Sequence, residues 1–279
     1  MRSQSEMFAL IMDIAVQDEH VRAVTMNGSR ADPGGHRDRY QDYDIVYIVD
    51  DIERYERDHG WLRAFGEELI FQFPDRERPA DGGYGFLMQF ADGNRIDLQV
   101  QTLAAFLREW ERGEPTLVLL DKDLTMQGRE ITTDAAYWVK KPDRAQYDHC
   151  VNEFWWVLLY VAKGLCRGDV LYAMETMNRW VRPQLLLQLT WLAGEKTGWR
   201  QAMGKCGDKL RQVLPEDVWR AYLTTYAPAE TESLWAALFA LGEQFGAAAV
   251  QVAKQLGFDY PTEQAKRVAA YARTMRENA

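Results

Sequence analysis

The sequence predicts an α+β N-terminal half, a mixed sheet with flanking helices over residues 1–141, followed by an all-α helical bundle over residues 142–279. Three observations carry this. Short runs rich in β-branched and aromatic residues, bounded by Gly, Pro, Asn and Asp clusters, fill the first half. From about Asp143 that signal gives way to long helical periods. Pro142, after Lys140-Lys141, marks a hinge between the halves. With 279 residues, 47% hydrophobic and 12% aromatic, the chain can build two cores and is not globally disordered.

The elements follow in order. Ser3 and Glu6 form a capping box, and Met7, Leu10, Ile11 and Ile14 give the i, i+3, i+4, i+7 spacing of an amphipathic helix running to Gln17. Strands are expected at Arg22 to Met26, Tyr43 to Val49, Gly85 to Phe90, Arg95 to Gln101 and Leu117 to Leu120, with a hairpin turning at Asp92-Gly93. Asp51 to Phe71, between the second and third strands, reads as helix. The apolar stretch Leu234 to Ala253 is interrupted by Glu243 and Gln244, so it reads as a packed helix and no membrane span is expected. Within it, Gly246-Ala247-Ala248-Ala249 suits close helix packing. No repeat and no low-complexity tract is evident.

Composition excludes several functions. Cys150, Cys166 and Cys206 form no CxxC pair, which fits reduced thiols and argues against disulfides and a zinc finger. The histidines, His20, His36, His59 and His149, have no ligand spacing, so a metal here would be held by oxygen. A net charge of −9 disfavours long contacts with nucleic acid and favours a cationic small substrate. The first residues lack an apolar stretch with a small-residue cleavage site, so a cytoplasmic protein is expected.

The chemistry concentrates in three stretches. Gly28-Ser29-Arg30 ends a strand, a Gly-rich loop follows, and Asp42-Tyr43-Asp44 opens the next strand. Strand alternation puts Asp42 and Asp44 on one face, where two carboxylates repel unless a cation lies between them. In Arg95 to Gln101, alternation puts Ile96, Leu98 and Val100 on one face and Asp97, Gln99 and Gln101 on the other. Three strand-borne carboxylates beside a turn with exposed backbone N–H groups make a site for Mg²⁺ and a nucleoside triphosphate. Taken singly, Asp42 and Asp44 also fit a solvated strand entry, Gly28-Ser29 fits an ordinary turn, and Arg30 fits either a local salt bridge or a phosphate contact.

The ordered set Gly28-Ser29, Asp42-x-Asp44 and Asp97 resembles the nucleotidyltransferase superfamily. Together with Gln41 to Ile45, Asp92-Gly93-Asn94-Arg95-Ile96-Asp97-Leu98, Leu119 to Asp123 and Asn152-Glu153-Phe154-Trp155, the chain resembles, over nearly its whole length, the aminoglycoside 6-adenylyltransferases that inactivate streptomycin. The resemblance implies transfer of AMP from ATP to the 6-hydroxyl of streptomycin, with pyrophosphate leaving and antibiotic resistance as the outcome. It implies two Mg²⁺ ions on Asp42, Asp44 and Asp97, with Gly28, Ser29 and Arg30 at the nucleotide. The general base is Asp97 or Glu153. A monomer or a homodimer is compatible with all of this.

One helix of the second half adds a separate signal. At about 100° per residue, Asn152, Glu153, Trp156, Tyr160, Lys163 and Arg167 share one arc, and Phe154, Leu158, Val161, Ala162 and Leu165 share the other. The polar arc fits a solvated surface or a cleft wall. In the second case Lys163 reaches the triphosphate, as the superfamily resemblance suggests. Glu153, Trp156 and Tyr160 then meet the cationic acceptor, with Asp148 and Asp169 at its mouth. The chain has no GxxxxGK[ST], no dinucleotide fingerprint around Gly83-Tyr84-Gly85 and no GxSxG elbow at Ser29. The competing readings are a nucleotidyltransferase for another small molecule or a protein, and a nucleotide-binding module without turnover.

Overall fold

A computed structural model describes residues 1–35, 37–74 and 82–279, so His36 lies outside the described residues. The chain forms two compact units, Met1–Ala136 and Tyr137–Ala279.

The first unit is a six-stranded mixed sheet with helices on it. Its elements are α1 (Gln4–Gln17), β1 (Val21–Met26), α2 (Gly28–Ala31), β2 (Tyr43–Val49), α3 (Glu53–Arg57), a 3-10 segment Gly60–Phe65, β3 (Glu68–Gln72), β4 (Gly83–Phe90), β5 (Arg95–Thr102), α4 (Leu103–Trp110) and β6 (Leu117–Asp121). The strand order is β3-β4-β5-β2-β1-β6. Among the described residues β2 and β5 pair in parallel and the other strand pairs are antiparallel. One sheet face carries the larger apolar core. There Tyr43, Ile45 and Tyr47 of β2 and Ile96, Leu98 and Val100 of β5 pack with Met7 and Ile11 of α1 and Phe65 of the 3-10 segment. On the other face, Phe106 of α4 packs against Val46 and Ile48.

Local chemistry explains the ends of these elements. Ser3 and Glu6 close the expected capping box. The far end of α1 is capped by Lys122, whose ammonium donates to the carbonyls of Ala15 at 2.9 Å and Asp18 at 2.8 Å. The expected hairpin turns at Asp92-Gly93, and its acid ties down the N-terminus by accepting from Arg2 Nε at 2.7 Å. Burial alone raises the Asp92 pKa, but hydrogen bonds from Arg2 and Asn94 outweigh it and hold the carboxyl well below the ordinary carboxylate range.

One expectation fails. The stretch Asp51 to Phe71 is not one helix: α3 and the 3-10 segment end by Gly66, and Glu68–Gln72 is an edge strand paired with β4. Gly66 at φ +140° breaks the helical path, and Leu69 and Ile70 of β3 stay exposed, so the strand lacks the buried alternation that would betray it.

The second unit contains α5 (Arg144–Cys166), α6 (Val170–Thr176), a π-helical turn Met177–Val181, α7 (Arg182–Lys196), α8 (Leu210–Val213), α9 (Glu216–Leu223), α10 (Thr231–Leu256) and α11 (Thr262–Glu277), and no strand among its described residues. Asp143 caps α5 in a capping box with Gln146. The core is centred on α5, α7 and α10, where Phe154 and Phe245 stack with ring centres 3.7 Å apart. α10 is long and apolar enough to cross a membrane by length and composition, but Leu234, Trp235, Leu238, Leu241 and Phe245 are spent on this core.

All three cysteines are free; Cys150 is buried, with its thiol pushed up to about 12 by burial, whereas Cys166 and Cys206 are exposed. A thiol reagent at pH 8 is therefore expected to titrate two groups rapidly in the native protein and the third only on unfolding. Rapid reaction of all three would mean that the α5–α7 contact around Cys150 opens readily.

Candidate functional site

The first unit gathers its acids where β1, β2 and β5 meet. β1 ends at Met26, and the chain leaves it through Asn27, whose N–H donates to the Asp44 carbonyl at 2.9 Å. Gly28 follows at φ +64°, and a Cβ on it would lie 1.8 Å from Asp44 Oδ2. Only glycine therefore lets the turn lie against that carboxylate. The Asn27 side chain ties the turn to the β6 side of the sheet by donating to Thr116 Oγ1 at 2.9 Å.

The loop from Gly28 to Asp42 folds back on itself. Gln41 Nε2 donates to Ser29 Oγ at 3.1 Å. Arg30 donates from Nε to the Asp42 carbonyl at 3.0 Å and from Nη2 to the Gln41 carbonyl at 2.9 Å, and its guanidinium lies 3.8 Å from the centre of the Tyr43 ring. Arg30 thereby clamps the entry to β2 through backbone carbonyls and an aromatic face.

The parallel pairing of β2 with β5 sets Asp44 directly beside Asp97, just as Tyr43 stands beside Ile96. Because register partners share a face, the two carboxylates stand together opposite the apolar core face. Asp42 lies one residue before β2. Between Asp42 and Asp97 stands Arg95, which sequence reasoning did not single out. Its Nε donates to Asp97 Oδ1 and its Nη2 to Asp97 Oδ2, both at 2.8 Å, and its Nη1 is 3.7 Å from Asp42 Oδ2. The Asp97 hydrogen bonds, reinforced by the charges of Asp42 and Asp44, hold the guanidinium above its ordinary pKa. The Arg-x-Asp spacing was a usable signal, since residues i and i+2 of a strand share a face.

Among the described residues no group of three His, Cys, Asp or Glu side chains is gathered so that it could hold a metal ion. The Arg95 guanidinium is a counter-charge at Asp97 and Asp42. The donor chemistry nevertheless fits a hard divalent cation: the acids at this corner supply oxygen only, and Asp42 and Asp97 are already drawn to one positive group.

In the second unit, the expected division of α5 is observed: Phe154, Leu158, Val161, Ala162 and Leu165 are buried, whereas Trp156 and Lys163 are exposed and Glu153 and Tyr160 are half-buried. Trp156 Nε1 donates to Tyr160 Oη at 2.8 Å, and Lys163 Nζ lies 4.8 Å from the Tyr160 ring centre. These three side chains form a continuous aromatic and cationic strip. Asp148 pairs with Arg144 at 2.7 Å. Asp169 sits at the N-cap position of α6.

The sequence profile described as Streptomycin adenylyltransferase matches residues 1–275. An aminoglycoside 6-adenylyltransferase of Campylobacter jejuni is 35% identical over 264 residues, covering 94% of this chain and 92% of that protein. One from Bacillus subtilis (strain 168) is 33% identical over 266 residues, 94% of each chain. A crystal structure of an aminoglycoside 6-adenyltransferase from Bacillus subtilis aligns over 99% of both chains at 29% identity, with a TM-score of 0.49.

Gly28→Ala is expected to destabilise the protein by about 2 kcal/mol, through the left-handed backbone and the displaced Asp44 side chain. Ser29→Ala removes one partly exposed hydrogen bond and should stay within about 0.5 kcal/mol of wild type. Denaturant titration of both variants checks the contrast. Equal stabilities would mean that the turn does not press on Asp44.

Proposed function

The chain belongs to the streptomycin adenylyltransferase family, and on that premise we propose that it transfers AMP from ATP to the 6-hydroxyl of streptomycin, releasing pyrophosphate and conferring aminoglycoside resistance. The observation that carries the reading is the in-register pairing of Asp44 with Asp97 beside the Gly28 turn. Adenylyl transfer asks for clustered oxygen donors next to a place where phosphates can lie.

Asp42, Asp44 and Asp97 are the residues that would hold Mg²⁺. When bound, the metal stabilises charge on the attacking and leaving oxygens during in-line displacement at the α-phosphorus. The backbone N–H groups of Gly28 and Ser29 face the triphosphate, and Arg30 keeps that turn in shape through the Gln41 and Asp42 carbonyls. Asp97 takes the proton of the acceptor hydroxyl, with Glu153 the second choice for that role. On α5, Lys163 acts on the nucleotide phosphates. Glu153 pairs with a guanidinium of the acceptor through charge-assisted hydrogen bonds, and Trp156 and Tyr160 supply apolar surface to its rings. The −9 net charge favours a cationic acceptor over a polyanion.

Pyrophosphate release from Mg²⁺ and ATP should require an aminoglycoside and be fastest with streptomycin in a panel. Asp42→Asn and Asp44→Asn should each lower turnover about a thousandfold or more while circular dichroism stays that of the wild type. Near-wild-type turnover in either folded variant would remove that aspartate from the reaction. In the second unit, Lys163→Ala should raise KM for ATP more than for streptomycin. Glu153→Gln should weaken streptomycin binding by calorimetry and leave ATP binding nearly intact. The opposite pattern, or no change in either, would return this helix face to solvent.

A further inference from the structure

We propose that Arg95 is a resident counter-cation of the carboxylate corner, a positioning residue that a divalent cation displaces from Asp97 in order to bind. This rests on the reading that Asp42, Asp44 and Asp97 hold the metal. The geometry is specific. The guanidinium fork occupies both oxygens of Asp97, each at 2.8 Å, and its remaining arm points toward Asp42 at 3.7 Å. A bidentate fork takes the lone pairs that a metal would use on that face of the carboxylate, and its positive charge repels an incoming cation. Arg95 is also able to leave. It is 40% exposed, and its carboxylate partners at this corner sit at the strand openings, outside the apolar core.

The arrangement has two consequences. Without metal, Arg95 offsets the repulsion between acids that the strand register forces together, so the corner can form during folding before any ligand binds. With metal, the same charge is a competitor, so this corner binds a bare divalent cation more weakly than its acids alone would.

The test is Mn²⁺ binding, read from the loss of the free-ion paramagnetic resonance signal, in wild type, Arg95→Gln, Arg95→Lys and Asp44→Asn. Arg95→Gln is expected to bind about fivefold more tightly than wild type, the factor that a partly exposed ion pair supports. Arg95→Lys keeps a charge but loses the fork and should fall between the two. The wild-type and Gln affinities should converge as salt is raised to about 0.5 M. If Asp44→Asn weakens Mn²⁺ binding while Arg95→Gln binds no more tightly than wild type, the metal assignment stands and the role given to Arg95 is overturned. If Asp44→Asn binds as wild type does, the metal assignment fails and the proposal falls with it. Should Arg95→Gln not fold, Arg95→Lys decides: tighter binding than wild type supports displacement, and equal or weaker binding overturns it.

Discussion

The parallel ladder between β2 and β5 forces two carboxylates into adjacent positions, and the organisation of the first unit turns on what compensates them. Neighbouring strands run about 4.8 Å apart. At that spacing two unit charges in a medium of intermediate polarity repel by about 3 kcal/mol before solvent and ions screen them. The chain cannot relieve this by slipping. A shift of one residue would turn Tyr43, Ile45, Tyr47, Ile96, Leu98 and Val100, all almost fully buried, away from the core they share with α1. Burial of the apolar face therefore fixes Asp44 beside Asp97 on the other face. The acids are held by hydrophobic packing that has nothing to do with their own chemistry.

Around that constraint the connecting segments act as braces. Gly28 gives Asp44 room, Arg30 fastens the incoming end of β2 by its carbonyls, and Asn27 ties the turn across to Thr116. Arg30 and Asn27 brace through uncharged acceptors, backbone carbonyls and a threonine hydroxyl. Arg95 is a cation that reaches the side chains of Asp97 and Asp42 themselves. The second unit follows a separate logic. Its stability resides in the apolar arc of α5 packed on α7 and α10, which leaves the opposite arc free to carry Trp156, Tyr160 and Lys163.

Much of this was legible in the sequence, for identifiable reasons. The Ser3 capping box is local chemistry and declares a helix start directly. β5 is read from alternation because one of its faces is buried, and the same alternation gives Asp97 its polar side, whereas β2, buried on both faces after Asp44, is read from its β-rich composition and the turn clusters around it. β3 escaped because an exposed edge strand has little burial to imprint on its pattern, and Leu62 and Phe65 just before it supply a helical spacing that runs on into Leu69. Arg30 could not be assigned from sequence, since its partners are backbone carbonyls and an aromatic face that leave no charge signature. Asp148 looked available because its pairing with Arg144, one helical turn away, went unread.

A bound divalent cation is expected where β2 and β5 bring Asp44 beside Asp97. Crystals grown with Mn²⁺ and a non-hydrolysable ATP analogue would give an anomalous difference peak for the ion. The expected result is a peak within about 2.3 Å of oxygens of both Asp44 and Asp97, with the Arg95 guanidinium withdrawn from Asp97. A well-bound ion away from these aspartates, or an ion present while Arg95 keeps both hydrogen bonds to Asp97, would contradict it.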